Sequence, residues 1–190
     1  MVLVDFSSAL KQAGMILRLA TLEIHDFQIL TPSYDFSPRY NEIVGEIKSS
    51  YTLDNIKEQK LIALYRKFYW EHLNIDPTKT RPAAEALIRR ILGNKPIPCI
   101  SPFVDAYNWA SIQSLVPMGA YDLDSISSPI ILRLSNGNEL FTPIAQEPKK
   151  LPVGILITSD AKKTILCQYP YRDSQITMVR ENTRKILLMA

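Results

Sequence analysis

Hydrophobic and polar positions change rhythm once along the chain. From about 38 to 116 the apolar residues recur at three- and four-residue steps, the spacing of helices with one buried face. From 129 to about 177 they fall into short continuous or alternating runs, the spacing of strands. The opening is less regular. Positions 6–19 have helical spacing interrupted by Gly14, whereas Leu22, Ile24, Phe27 and Ile29 within 22–30 alternate roughly as a strand does. Over 40–50, Ile43, Val44 and Ile47 share a face and predict a short helix. The strongest helical pattern covers 54–73, with Asp54 placed to cap it and Leu61, Leu64, Tyr65, Phe68 and His72 on one side.

Pro77 and Pro82 then punctuate the chain, and Asp76 and Thr80 stand where caps are needed. The next helix runs to about 92 with Ala84, Leu87, Ile88, Ile91 and Leu92 apolar, and Gly93 is read as its left-handed stop. After an irregular 94–101, a further helix is predicted over about 103–116. In the strand region, Asn136 and Gly137 between two apolar runs (130–134 and 139–142) predict a hairpin with a type I′ turn. Two more strands are expected at 153–158 and 164–169. The apolar run of 183–190 has no polar ending, which predicts an element running on. No repeat or Gly/Ser linker divides the sequence. The expected architecture is one α+β domain over 1–190, helical in its first half and an antiparallel or mixed sheet in its second. Within it, 1–53 reads as an N-terminal extension and 54–190 as the core.

Composition adds exclusions. With 46% hydrophobic and 22% charged residues the chain is not disordered, and six Gly with 13 dispersed Pro exclude a collagen-like or low-complexity chain. The net charge of +3 argues only weakly for a nucleic-acid partner. No apolar run nears the roughly 20 residues that cross a bilayer. The start lacks a basic n-region and a cleavage site, so a cytoplasmic protein with no membrane partner is expected. Cys99 and Cys167, far apart and in apolar company, read as reduced core residues. His25 and His72 have no metal-like neighbours, zinc spacings are absent, and no nucleophile elbow, phosphate loop or dinucleotide fingerprint occurs. Neither a metal nor a cofactor is expected.

Three polar clusters remain. Lys79, Thr80 and Arg81, just before Pro82, put two cations and a hydroxyl at a helix N-terminus, where an anion could dock or where a solvated turn simply begins. Asp105 and Asn108, three apart around Tyr107, share a helix face and suit either chemistry or capping. Asp122 and Asp124 follow a Gly119 bend, as an acid/base pair or an Asp-rich turn. Tyr169, Tyr171 and Arg172 could stack on nucleotide bases or merely decorate a loop.

The order of the clusters carries more than any one of them. Ile100-Ser-Pro-Phe-Val-Asp-Ala-Tyr-Asn-Trp109, then Val116-Pro-Met-Gly-Ala-Tyr-Asp-Leu-Asp-Ser-Ile126, resembles the editing domain of the phenylalanyl-tRNA synthetase beta subunit, called the B3/B4 domain. The likeness continues through Leu132-Arg-Leu-Ser-Asn-Gly-Asn-Glu-Leu140 and Glu181-Asn-Thr-Arg-Lys-Ile-Leu187. Upstream, Tyr65-Arg-Lys-Phe68 and Ile75-Asp-Pro-Thr-Lys-Thr-Arg-Pro-Ala-Ala-Glu-Ala-Leu-Ile-Arg-Arg90 look like stand-alone relatives of that domain.

The resemblance implies hydrolysis of a mischarged aminoacyl ester on tRNA, in the family a tyrosyl ester on phenylalanine tRNA. Such editing answers the poor discrimination of near-isosteric side chains by an apolar pocket. It assigns Asp105 and Asn108 to catalysis, with Tyr107 where the family has threonine and Gly119 where it has histidine. The family's Gly-Gly-Glu is not recognisable within 171–175, where Asp173 is the available substitute. Lys79, Thr80 and Arg81 would hold a phosphate, with Arg89 and Arg90 nearby, and Asp122 or Asp124 would meet the amino group. The implied partners are tRNA or aminoacyl-tRNA and its amino-acid moiety. The alternative is a module that keeps the fold and binds RNA or an amino acid without catalysis.

Overall fold

The computed structural model describes residues 2–12, 14–15, 17–28 and 37–190. Its elements are β1 (Val4–Phe6), α1 (Ser8–Gln12), β2 (Thr21–Ile24), α2 (Ser37–Ser50), α3 (Lys60–His72), α4 (Ala83–Leu92), α5 (Pro102–Ser114), β3 (Gly119–Asp122), β4 (Ile130–Phe141), β5 (Lys149–Ser159), β6 (Ile165–Gln168), β7 (Arg172–Asp173) and β8 (Ile186–Met189). The fold is α+β. Its contacts gather into two compact units, Ile29–Met118 and Met1–Gln28 with Gly119–Ala190, helical and sheet-rich respectively.

In the helical unit, Ile43 and Ile47 of α2, Ala84, Ile88 and Ile91 of α4, and Trp109 and Ile112 of α5 enclose one apolar core with Ile56 and Ile62. The periodicity placed α2, α4 and α5 correctly. It misplaced the face of α3. Leu61 and Leu64 are 37% and 53% exposed, while Ile62 and Tyr69 are buried. Arg66, between them at the i+4 step, explains the rotation: its guanidinium donates to both oxygens of fully buried Glu85 at 3.0 and 3.1 Å. A buried carboxylate requires a counter-charge, and that requirement turns the Ile62–Arg66–Tyr69 side inward.

Asp54 does not cap this helix. A 3₁₀ turn at Ile56–Glu58 intervenes, and the Gln59 side chain accepts from the Leu61 and Ile62 N–H groups instead. Thr80 likewise caps nothing, since α4 starts after Pro82 with no side-chain cap. Gly93 has φ −87°, and the left-handed residue is Asn94 at φ 54°. There Lys95 N–H reaches the Arg90 carbonyl at 2.8 Å and closes the helix end.

The sheet unit holds a five-stranded sheet in the order β1-β4-β5-β6-β7 and a three-stranded sheet in the order β2-β8-β3. β1 runs parallel to β4 and the other pairings are antiparallel, so the larger sheet is mixed. The first residues form a strand, a five-residue helix and a second strand rather than a helix over 6–19. Of the expected 22–30 strand, 22–24 is observed, and 29–30 lies outside the described residues.

The expected hairpin at Asn136-Gly137 is a β-bulge inside one long strand. β4 continues through it and pairs with β5 along its length. Gly137 (φ 87°) and Asn138 (φ 58°) take the left-handed conformation that suits a turn, but here it accommodates the extra residues of the bulge. A Cβ on Gly137 would stand 2.8 Å from Val153 Cγ2. Arg133 clamps the bulge through Glu139 at 2.5 Å, and Ser135 Oγ accepts from Ile155 N–H at 2.9 Å.

The two cysteines part company. Cys167 is a core residue of β6, as expected, whereas Cys99 is exposed because it sits in the irregular segment ahead of α5.

Candidate functional site

The start of α5 gathers the catalytic candidates. Ser101 caps the helix by accepting from Val104 N–H, and Pro102 fills the first turn, where no backbone donor is needed. Asp105 is 91% buried by its 9% exposure, and its carboxylate reaches back over the cap. One oxygen accepts from Ile100 N–H at 2.9 Å and the other from the Cys99 thiol at 3.2 Å. The bond to Asp105 raises the Cys99 thiol above its ordinary value, so the sulfur keeps its proton. Asp105 therefore fixes the entry to α5 and does not orient Asn108. One turn on, half-buried Asn108 makes no side-chain hydrogen bond among the described residues. The Tyr107 ring meets the Phe103 ring edge-on at 5.6 Å.

A hollow of ≈ 210 Å³ lies between α2 and α5, lined by Tyr40, Ile43, Ala106, Trp109 and Ala110 with Arg39 and Gln113. It includes neither Asp105 nor Asn108.

Lys79, Thr80 and Arg81 sit in the turn ahead of α4. Asp76 builds that turn by accepting from the Thr78 N–H and hydroxyl at 2.8 and 2.7 Å, bonds that lower its carboxyl below the ordinary value. Lys79 and Arg81 are exposed. Arg89 and Arg90 are each engaged within the chain. Arg89 donates to Glu85 at 2.8 Å and to the Leu53 carbonyl, and Arg90 to the Pro96 carbonyl. The Arg66–Glu85–Arg89 group escaped the sequence reading. Only its i,i+4 half is visible along one helix; Arg66 lies on another.

In the sheet unit the acidic candidates also have internal duties. Asp122 accepts from Asp124 N–H at 3.0 Å and from the Thr183 hydroxyl at 2.8 Å, while Asp124 pairs with Lys185. Gly119 and Asp173 do come together, through Tyr121. The Tyr121 hydroxyl donates to Asp173 Oδ1 at 2.7 Å, and a Cβ on Gly119 would stand 2.8 Å from that hydroxyl and 3.2 Å from that carboxyl oxygen. Burial pushes the Asp173 carboxyl up to about 6 against the opposing pull of the Tyr121 bond. Burial also drives the Cys167 thiol to about 12, and its sulfur lies 3.0 Å from Thr158 Oγ1. Tyr121 was missed, although strand alternation places it on the same side as Gly119. Arg172 lies over the Tyr171 ring at 5.0 Å, a cation–π stack within the chain.

The sequence pattern of the B3/4 domain family matches residues 64–190, and the chain belongs to that family. It is 33% identical over 89 residues to the phenylalanine–tRNA ligase beta subunit of Yersinia pestis, a match covering 47% of this chain and 11% of that protein. It is 38% identical over 66 residues to the beta subunit of Francisella tularensis subsp. tularensis, covering 35% of this chain and 8% of that one. The chain thus spans about a tenth of the length of these curated relatives. An N-terminal fragment of the phenylalanyl-tRNA synthetase beta subunit from Pyrococcus horikoshii aligns with a TM-score of 0.46 at 13% identity, over 99% of this chain and 42% of that one. Among the described residues no helix is long and apolar enough to cross a membrane.

Proposed function

We propose that this chain binds the aminoacyl end of a tRNA and hydrolyses a mischarged ester there. Membership of the B3/4 family over 64–190 carries this reading, supported by its beta-subunit relatives. Asn108 is the catalytic candidate whose amide has no hydrogen bond among the described residues. Its Nδ2–H groups suit donation to an ester carbonyl as water attacks and negative charge grows on that oxygen. The carbonyl–ribose bond then breaks and the proton from water passes to the ribose oxygen, which needs positioning rather than a side-chain nucleophile. Exposed Lys79 and Arg81, with Thr80, suit a phosphate of the acceptor strand. Tyr107 supplies an aromatic surface on the same helix, and Asp105 acts by holding the helix start.

The test is a panel of mischarged tRNAs given to the purified protein. Wild type should deacylate at least one, and Asn108→Ala should lose roughly 10²-fold or more, the usual effect of removing such a donor. No activity on any member overturns the hydrolase reading.

A second reading, binding without catalysis, is favoured by one observation. The Asp105, Asp122 and Asp173 carboxyls are all bonded within the chain, and the Tyr121 hydroxyl occupies the room beside Gly119. Under it, tRNA affinity survives without deacylation and falls steeply with salt, while Lys79→Ala with Arg81→Ala flattens that slope.

A further inference from the structure

The segment after β7 is tied across two sheets. Residues 173–175 pair with 142–144 through Ile144 N–H to the Asp173 carbonyl and Gln175 N–H to the Thr142 carbonyl. A few residues on, Asp122 N–H donates to the Thr177 carbonyl at 2.8 Å, and Met178 bridges to Tyr121. The segment thus leaves the edge of the five-stranded sheet and arrives on β3 of the three-stranded sheet. Among the described residues, its side-chain tie across that gap is the bond from the Tyr121 hydroxyl to Asp173. The space for that hydroxyl exists because residue 119 is glycine.

We infer that Gly119, Tyr121 and Asp173 form a proton-controlled latch that fastens the 173–178 strap between the two sheets. The titratable groups that face Asp173 are the Tyr121 phenol from β3 and the Cys167 thiol opposite it on β6. Both are held in their neutral forms, since burial raises each well above neutrality. Residues 142–144, which flank Asp173 on the other side, carry no titratable side chain. Nothing cationic therefore compensates an ionised Asp173 among these neighbours. Its carboxyl is raised from 3.8 to about 6, so the folded strap holds the proton that the opened strap releases. The stabilisation is complete below pH 3.8 and is lost as pH rises through about 6. Acid favours the closed strap because burial favours the neutral carboxyl more strongly than the phenol bond favours the ionised one, and neutral pH loosens it.

Hydrogen exchange over residues 170–180, followed from pH 5 to 7.5 and corrected for intrinsic rates, tests it. Protection should rise on acidification through about pH 6, with a total span of no more than roughly hundredfold for a two-unit shift. Asp173→Asn should abolish the transition. Tyr121→Phe should move its midpoint upward, because the phenol bond is what lowers the Asp173 value. Protection that is flat with pH in the wild type overturns the latch, as does an unchanged transition in Asp173→Asn. If that variant does not fold, an unmoved midpoint in Tyr121→Phe decides against it alone.

Discussion

The two units treat a buried carboxyl in opposite ways. In the helical unit, fully buried Glu85 receives three guanidinium hydrogen bonds from Arg66 and Arg89, so its charge is matched by cations. In the sheet unit, Asp173 receives a phenol and faces a thiol, so its charge is matched by nothing and its proton affinity rises. The partner decides the behaviour: a cation makes a permanent clamp, whereas a neutral donor leaves a group that titrates near neutrality.

Breaking the clamp should give the largest effect. Glu85→Ala leaves two arginine side chains, each about four-fifths buried, without their counter-charge. Urea unfolding should show a loss of about 3 kcal/mol or more, with Glu85→Gln, which keeps an acceptor, losing less. Near-equal stability of Glu85→Ala and wild type would remove the distinction between the units.

The inward face that this clamp imposes on α3 comes next. Ile62→Ala should cost about 2–4 kcal/mol through the cavity it opens, while Leu64→Ala, half exposed, should stay within about 0.5 kcal/mol. Equal losses would restore the face that periodicity alone suggested.

On the sheet side, Gly137→Ala combines a left-handed backbone with a 2.8 Å approach to Val153. A loss of about 1–2 kcal/mol in thermal unfolding is expected, smaller than either helical effect because the strand can shift at its bulge. A neutral result would mean that the bulge gives way without strain.

These cases mark how far the sequence was legible. Helices α2, α4 and α5 were readable because each carries one apolar stripe and buries it. Helix α3 carries two, and only Glu85, more than a helix away, selects between them. Asn136-Gly137 describes a backbone conformation that serves a turn or a bulge equally well, and β5 pairing on both sides of it makes the choice. The family likeness was legible from ordered motifs, and the profile over 64–190 bears it out. Individual site roles were harder. A carboxylate that ties local backbone, like Asp105 or Asp122, is chemically the same residue as one that catalyses, and the difference lies in which donors fold toward it. Tyr121 was hidden because its partner is 52 residues away in sequence.

The strand order of the smaller sheet has a consequence for synthesis. Its middle strand, β8, comes from Ile186–Met189, and both neighbours, β2 and β3, are made before it. On the ribosome those two strands must wait without their shared partner strand until β8 emerges. The helical unit is one continuous stretch, Ile29–Met118, and has no such delay. Vectorial synthesis thus favours a nascent chain whose helices are folded while the sheet is still open. That interval is when a chaperone would find exposed strand edges to hold.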